Sequence, residues 1–186
     1  MTKVYFVRHA IPDFSIKDDL IRPLTDEGIN DCKKVTKFLS DKDITKAFSS
    51  PYKRSIDTIK DFAESLNLKI NIIDDFRERK TDNVWIDDFN KFSKEQWIDF
   101  DYKSSEGESL NEVQNRNIKA LMHILKENVY ENMVIGSHGT ALSTIINYFN
   151  KKFDYTEFER IKHLMPFIVC FTFDGKYVMN IEEFTL

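Results

Sequence analysis

A chain of 186 residues suits one domain, with room for a small cap. Its 41% hydrophobic and 31% charged residues describe a sizeable core under a well-solvated surface. The net charge of −4 supplies no basic stripe, which argues against a nucleic-acid surface. Val4 to Val7 reads as a buried β-strand, being β-branched or aromatic and free of charge. This apolar run is too short for a signal peptide or a membrane span, so no membrane partner is expected. It stops in Arg8 and His9, and Ala10-Ile11-Pro12-Asp13 breaks any further regular structure. A loop over residues 11–24 carries Pro12 and Pro23. Thr25, followed by Asp26 and Glu27, then caps a helix that runs to about residue 40.

Ile44 to Phe48 is a short second strand. Ser50 suits an N-cap and Pro51 a first helical position, opening a helix to about residue 66. Residues 68–74 alternate as a third strand. Residues 75–108 read as an irregular, aromatic-rich cap over the sheet edge, with Trp85, Phe89 and Phe92 at helical spacing. Ser109 and Glu112 form a capping box that starts a long helix to about Asn128. Met133 to Ser137 is a fourth strand ending in His138-Gly139-Thr140, and Gly139 or Thr140 begins the next helix, through Phe149. A helical piece covers roughly 155–164. Phe167–Phe173, a turn at Asp174-Gly175, and Tyr177–Phe184 form a hairpin. Cys32 and Cys170 have no metal-ligand spacing and read as reduced thiols of a cytoplasmic protein.

Strands alternating with helices imply an α/β fold: a mostly parallel central sheet with helices on both faces, closed by a C-terminal antiparallel hairpin. The carboxyl ends of the strands then converge on one edge, where ligands bind in such sheets. Arg8-His9, Ser49-Ser50 with Arg54, Glu78-Arg79 and His138-Gly139 all fall there. Two histidines, several arginines and a carboxyl group suit phosphoryl transfer. Arginine presents a planar fork to two phosphoryl oxygens at once. Helix N-termini at Ser50-Pro51 and Gly139-Thr140 would aim N–H groups the same way. A neutral histidine can act as nucleophile, and a carboxyl group can protonate the leaving alkoxide.

These motifs resemble the histidine phosphatase superfamily, which includes the cofactor-dependent phosphoglycerate mutases. VRHA at 7–10, LTDEG at 24–28, SSPYKRSIDT at 49–58, FRER at 76–79, GESL at 107–110 and GSHGT at 136–140 stand in the family's order. The resemblance implies a phosphoglycerate mutase-like fold with His9 as the phosphoryl-accepting nucleophile and Arg8, Arg54 and His138 as the phosphate clamp. It implies Glu78 as general acid and later base, Arg79 as a substrate contact and Gly139 as a backbone N–H donor. It implies no metal and no other cofactor. The family often has glycine after RH and asparagine six residues past the histidine. Ala10 and Ser15 stand there here, which makes Ser15 the substrate-binding candidate at the second place. The glycine usual in E-x-x-x-G after the acid is absent. Residues 82–102 carry Asp82, Asp87, Asp88, Glu95, Asp99 and Asp101 against Lys91 and Lys94. As a cap over the site they would disfavour a bisphosphate. The aromatics would favour an apolar or ring-containing leaving group. The expectation is a phosphatase acting on small-molecule phosphomonoesters. The alternatives are a phosphoglycerate-type mutase, or a signalling module that docks phosphorylated proteins.

Overall fold

Val4 and Phe6 pack into one core cluster, Tyr5 and Val7 into another, on opposite faces of the same strand. That division follows from the two-residue repeat of an extended chain whose every position is apolar. The computed structural model describes residues 1–82 and 86–186. The strand is β1 (Thr2–Arg8), followed by α1 (Asp26–Leu39), β2 (Ile44–Ser49), α2 (Lys53–Ser65) and β3 (Ile70–Ile72). A 3-10 turn at Asp74–Phe76 leads to α3 (Phe89–Ile98), α4 (Leu110–Glu127) and β4 (Asn132–Ser137). The chain ends in α5 (Gly139–Phe149), α6 (Tyr155–Ile161), β5 (Phe167–Asp174) and β6 (Tyr177–Thr185).

The sheet has six strands in the order β3-β2-β4-β1-β5-β6. The β1, β2, β3 and β4 pairings are parallel, and β5 and β6 add antiparallel strands beside β1. Residues of α1 and α2 join the Tyr5 face, and residues of α4, α5 and α6 join the Phe6 face. This is the expected α/β sheet with a terminal hairpin. Among the described residues no helix is long and apolar enough to cross a membrane.

Three local expectations are corrected. The third strand spans Ile70–Ile72 rather than 68–74. Asn67, at φ 53°, ends α2 in a Schellman turn, with Leu68 N–H donating to Ala63 O at 2.8 Å. The 3-10 turn takes the other end of the run.

The second helix begins at Lys53, not Pro51. Tyr52 is its N-cap, in extended backbone and without a side-chain cap. Ser50 instead serves the site described below, and the Lys53 N–H is taken by Leu20 O at 2.9 Å.

The 75–108 segment is also more regular than an irregular cap. Within it α3 packs on α6, and Trp97 stacks on Phe158, with ring centroids 5.4 Å apart, and meets Phe153 at 6.0 Å. Phe76 and Trp97 belong to the core on the Phe6 face. The expected face through Trp85, Phe89 and Phe92 falls partly outside the described residues.

Candidate active site

The site follows from strand register. Arg8 of β1 lies opposite Ser137 of β4, and Ser49 of β2 opposite Gly136. The ladders run one residue further, His9 N–H to Ser137 O and Ser50 N–H to Gly136 O, each at 3.1 Å. The next residues along β1 and β4 are therefore His9 and His138, and their rings sit 5.4 Å apart. Gly136 allows the close approach of β4 to α2. A Cβ there would fall 2.7 Å from Ser49 Oγ and 2.8 Å from Ser55 O.

His9 is buried, and its Nδ1 lies 2.8 Å from Ala10 O. Burial pulls its pKa well below the usual histidine value, and the nearby Arg54 and Arg8 cations add to that. The ring is neutral, and a carbonyl only accepts. Nδ1 therefore carries the proton, and Nε2 keeps a lone pair. The turn that supplies this carbonyl is itself tied down: Ala10 N–H donates to Thr58 Oγ1 at 3.0 Å, and Thr58 Oγ1 donates to Arg54 O at 2.7 Å. His138 is fully buried, with Nε2 2.6 Å from Ser50 Oγ. Burial, then His9 and Arg54, hold its pKa well below the usual value too.

A cleft of about 400 Å³ opens at this edge, and Arg8, His9, Arg54, Glu78, Arg79 and Gly139 all line it. Arg8 donates through Nη1 to Ile161 O and Leu164 O at 3.0 Å each, which fixes it against the end of α6. Burial pulls its pKa down to about 10, so it stays charged at neutral pH. The Arg8 guanidinium lies over Gly139, where a Cβ would stand 3.1 Å from Arg8 Cζ and Nη2. Arg54 donates to Asp19 O at 2.6 Å, pairs with Asp19 Oδ1 at 3.0 Å and stacks on Tyr52.

Glu78 caps α5. Its Oε2 accepts from Thr140 N–H at 3.0 Å, and its Oε1 accepts from Ala141 N–H at 3.0 Å and Arg79 N–H at 2.8 Å. The expected N–H donors at the start of α5 thus hold the Glu78 carboxyl group of the protein itself, whose oxygens can accept these bonds with or without its proton. The Glu78 loop is fixed from α4. Arg116 donates to Asp75 O at 2.7 Å, Arg77 O at 2.8 Å and Glu78 O at 3.1 Å. Arg116 also forks onto Glu108, at 2.8 and 2.9 Å. Although burial pushes Glu108 up, Arg116 and the Lys80 N–H outweigh it and hold its carboxyl below the usual range.

Two site candidates do not line the cleft, His138, which is fully buried, and Ser15. Ser15 is exposed, its N–H donates to Asp13 Oδ1 at 2.9 Å, and its neighbour Phe14 lines the cleft instead. The acidic residues of 82–102 do not line the cleft either, and of the aromatics described there only Phe89 does. Sequence reasoning passed over Asp19, Arg22, Thr58, Gln96 and Arg116. Arg22 lines the cleft and pairs with Asp19 at 2.6 Å. Nothing in a loop of mixed charge marked it. Arg116 sits among other polar residues on a helix face, and only its partners distinguish it.

The model of the histidine phosphatase superfamily (branch 1) matches residues 4–179, and the chain belongs to that superfamily. Solved structures share the fold at low identity. Bacillus stearothermophilus YhfR is 20% identical, with 96% of this chain and 94% of that one covered and a TM-score of 0.77. A phosphoserine phosphatase mutant from Entamoeba histolytica, in complex with phosphoserine, is 19% identical, covering 97% and 96% at a TM-score of 0.77. The mycobacterial glucosyl-3-phosphoglycerate phosphatase Rv2419c is 14% identical, covering 98% and 97% at 0.72. No curated protein matches the chain by sequence.

Proposed function

We propose that the protein is a phosphatase that hydrolyses small phosphomonoesters through a phosphohistidine on His9. The observation that carries this reading is the state of His9: a neutral ring with its Nδ1 proton held by Ala10 O, in a cleft lined by Arg8 and Arg54. The Nε2 lone pair attacks phosphorus, and the ester P–O bond breaks with its electron pair on the alcohol oxygen. Glu78 gives that oxygen a proton. In the second half Glu78 takes a proton from water, the hydroxide attacks phosphorus, and the P–N bond breaks back onto His9.

Arg8 and Arg54 stabilise the charge on the equatorial oxygens in both halves, with the Gly139 N–H as a further donor. His138, buried beside His9 and held by Ser50, completes the clamp. Arg79 contacts the leaving group. Ser15, outside the cleft, is left without that role. Phosphatases of this fold among the solved structures support hydrolysis over phosphoryl exchange. Cys32 and Cys170 are free and buried, which supports a cytoplasmic setting.

The test is a monoester panel scored for inorganic phosphate, run beside Glu78→Gln. The reading expects stoichiometric phosphate, and a Glu78→Gln loss that grows as the leaving alcohol becomes more basic. Interconversion of phosphoglycerates without phosphate release would replace it with a mutase. Tight binding of phosphorylated proteins without turnover would replace it with a docking module.

A further inference from the structure

Thr58 lies in the interior of α2, where a β-branched side chain with a hydroxyl is among the poorer helix formers. It is fully buried, and its hydroxyl donates back to Arg54 O, four residues earlier, at 2.7 Å. Such a back-bond adds nothing that the helix needs. The other contact of the hydroxyl leaves the helix: it accepts from Ala10 N–H at 3.0 Å, and Ala10 is buried as well. Both directions are fixed, because an amide N–H only donates and a carbonyl only accepts.

The chain just past β1 is pinned residue by residue. His9 N–H donates to Ser137 O at 3.1 Å, Ala10 N–H goes to Thr58, and Ile11 O accepts from Thr25 N–H at 3.0 Å. Gly28 lets α1 come that close, since a Cβ there would collide with Ile11 O. The peptide between the last two pins carries Ala10 O, the atom that lies 2.8 Å from His9 Nδ1. Were that carbonyl to swing away, the ring proton could move to Nε2, and a protonated Nε2 has no lone pair for phosphorus. Thr25 also caps α1, accepting from Gly28 N–H at 3.0 Å, so its own helix needs it. The Thr58 hydroxyl is free of such a duty.

We propose that Thr58 is a positioning residue for His9: through Ala10 N–H its hydroxyl holds the Ala10 carbonyl on Nδ1, keeps the ring in the Nδ1–H tautomer and leaves the Nε2 lone pair to the cleft. The consequence for turnover rests on the phosphatase reading. The tautomer rests on the hydrogen bonds alone.

Reading the ring directly separates the two. Long-range proton–nitrogen correlation NMR reports which ring nitrogen of a neutral histidine is protonated, and His9→Gln identifies the His9 signals. The wild type is expected to show a single Nδ1–H tautomer at His9. Thr58→Val keeps the side-chain shape without the hydroxyl. It is expected to mix the two tautomers and to lower kcat on an aryl phosphate on the order of 10²-fold, the cost of a reacting group displaced by about 1 Å. Competitive inhibition by inorganic phosphate is expected to stay put, because Arg8 is fixed by Ile161 O and Leu164 O and Arg54 by Asp19. Thr58→Ser, which keeps the hydroxyl, is expected to retain both the tautomer and kcat. Should the valine variant not fold beside an unpaired Ala10 N–H, Thr58→Ala is read in the same way. A protein that releases no phosphate, yet whose His9 tautomer follows the Thr58 hydroxyl, keeps this inference and loses the phosphatase reading. A folded valine or alanine variant that holds the single Nδ1–H tautomer overturns the proposal whatever its kcat, as does a serine variant that behaves like valine.

Discussion

Replacing Arg116 by methionine tests whether the loop bearing Glu78 and Arg79 is built from α4. The Arg116 side chain is 10% exposed and its partner Glu108 15%. The substitution leaves the carbonyls of Asp75, Arg77 and Glu78 without their donor. Glu108 keeps Arg77 at 3.0 Å and the Lys80 N–H at 2.9 Å. Breaking a buried pair by removing one partner costs about 3–5 kcal/mol, and these remaining contacts put the expectation near the lower end, at about 3 kcal/mol. For a chain of this length that corresponds to a fall in Tm of roughly 6–12 °C. The Glu78 carboxylate also loses its backbone support, and a displacement of about 1 Å at a reacting group costs on the order of 10²-fold in rate. Urea unfolding gives the stability, and kcat/KM on an aryl phosphate gives the rate. Arg116→Lys is expected to lose nearly as much activity, because one ammonium cannot span three carbonyls and a carboxylate. A methionine variant within about 1 kcal/mol of wild type, the range of an exposed pair, with undiminished kcat/KM would refute the reasoning.

Two further predictions come from the His9 surroundings. Gly139→Ala puts a methyl group 3.1 Å from the Arg8 guanidinium. It is expected to weaken competitive inhibition by inorganic phosphate or vanadate about tenfold with little change in fold stability; unchanged inhibition would mean that Arg8 does not hold the phosphoryl group. His9 and His138 are both neutral in the folded protein. Below about pH 6.5 the unfolded chain protonates them and the folded chain does not, so their contribution is complete above that pH and declines as the pH falls. Two such sites give a slope of up to about 2.7 kcal/mol per pH unit. His9→Gln should halve it in urea titrations between pH 5 and 7.5, and a flat wild-type profile in that window would mean that the native histidines are charged.

The fold was legible because its central strands are unbroken apolar runs. Val4–Val7 and Met133–Ile135 are apolar throughout, as strands covered on both faces must be, and Ser109 with Glu112 forms the capping box expected of them. Strand ends placed His9 and His138, whereas Arg54 sits in the first turn of α2 and Glu78 six residues past β3, and these two rested on the motif resemblance as well. What stayed hidden depends on tertiary partners. Ser50 looks like an N-cap, yet its hydroxyl is drawn to His138 across the sheet edge, and a local rule yields to that contact. Nothing local marks Glu108, yet its carboxylate gathers Arg77 and the Lys80 N–H from one loop and Arg116 from α4. Ser15 was placed by its distance from His9 along the chain. The turn at Asp13 sends it outward, because spacing in a loop fixes no direction.

The central claim is that phosphorus passes through His9. Rapid quench of the enzyme with a labelled phosphomonoester is expected to trap label on the protein in an acid-labile, base-stable form. That label should map to His9, disappear in His9→Ala, and accumulate in Glu78→Gln with a leaving group that needs no proton. Full phosphate release with no labelled protein at any quench time, or a His9→Ala variant that still carries the label, would contradict the account.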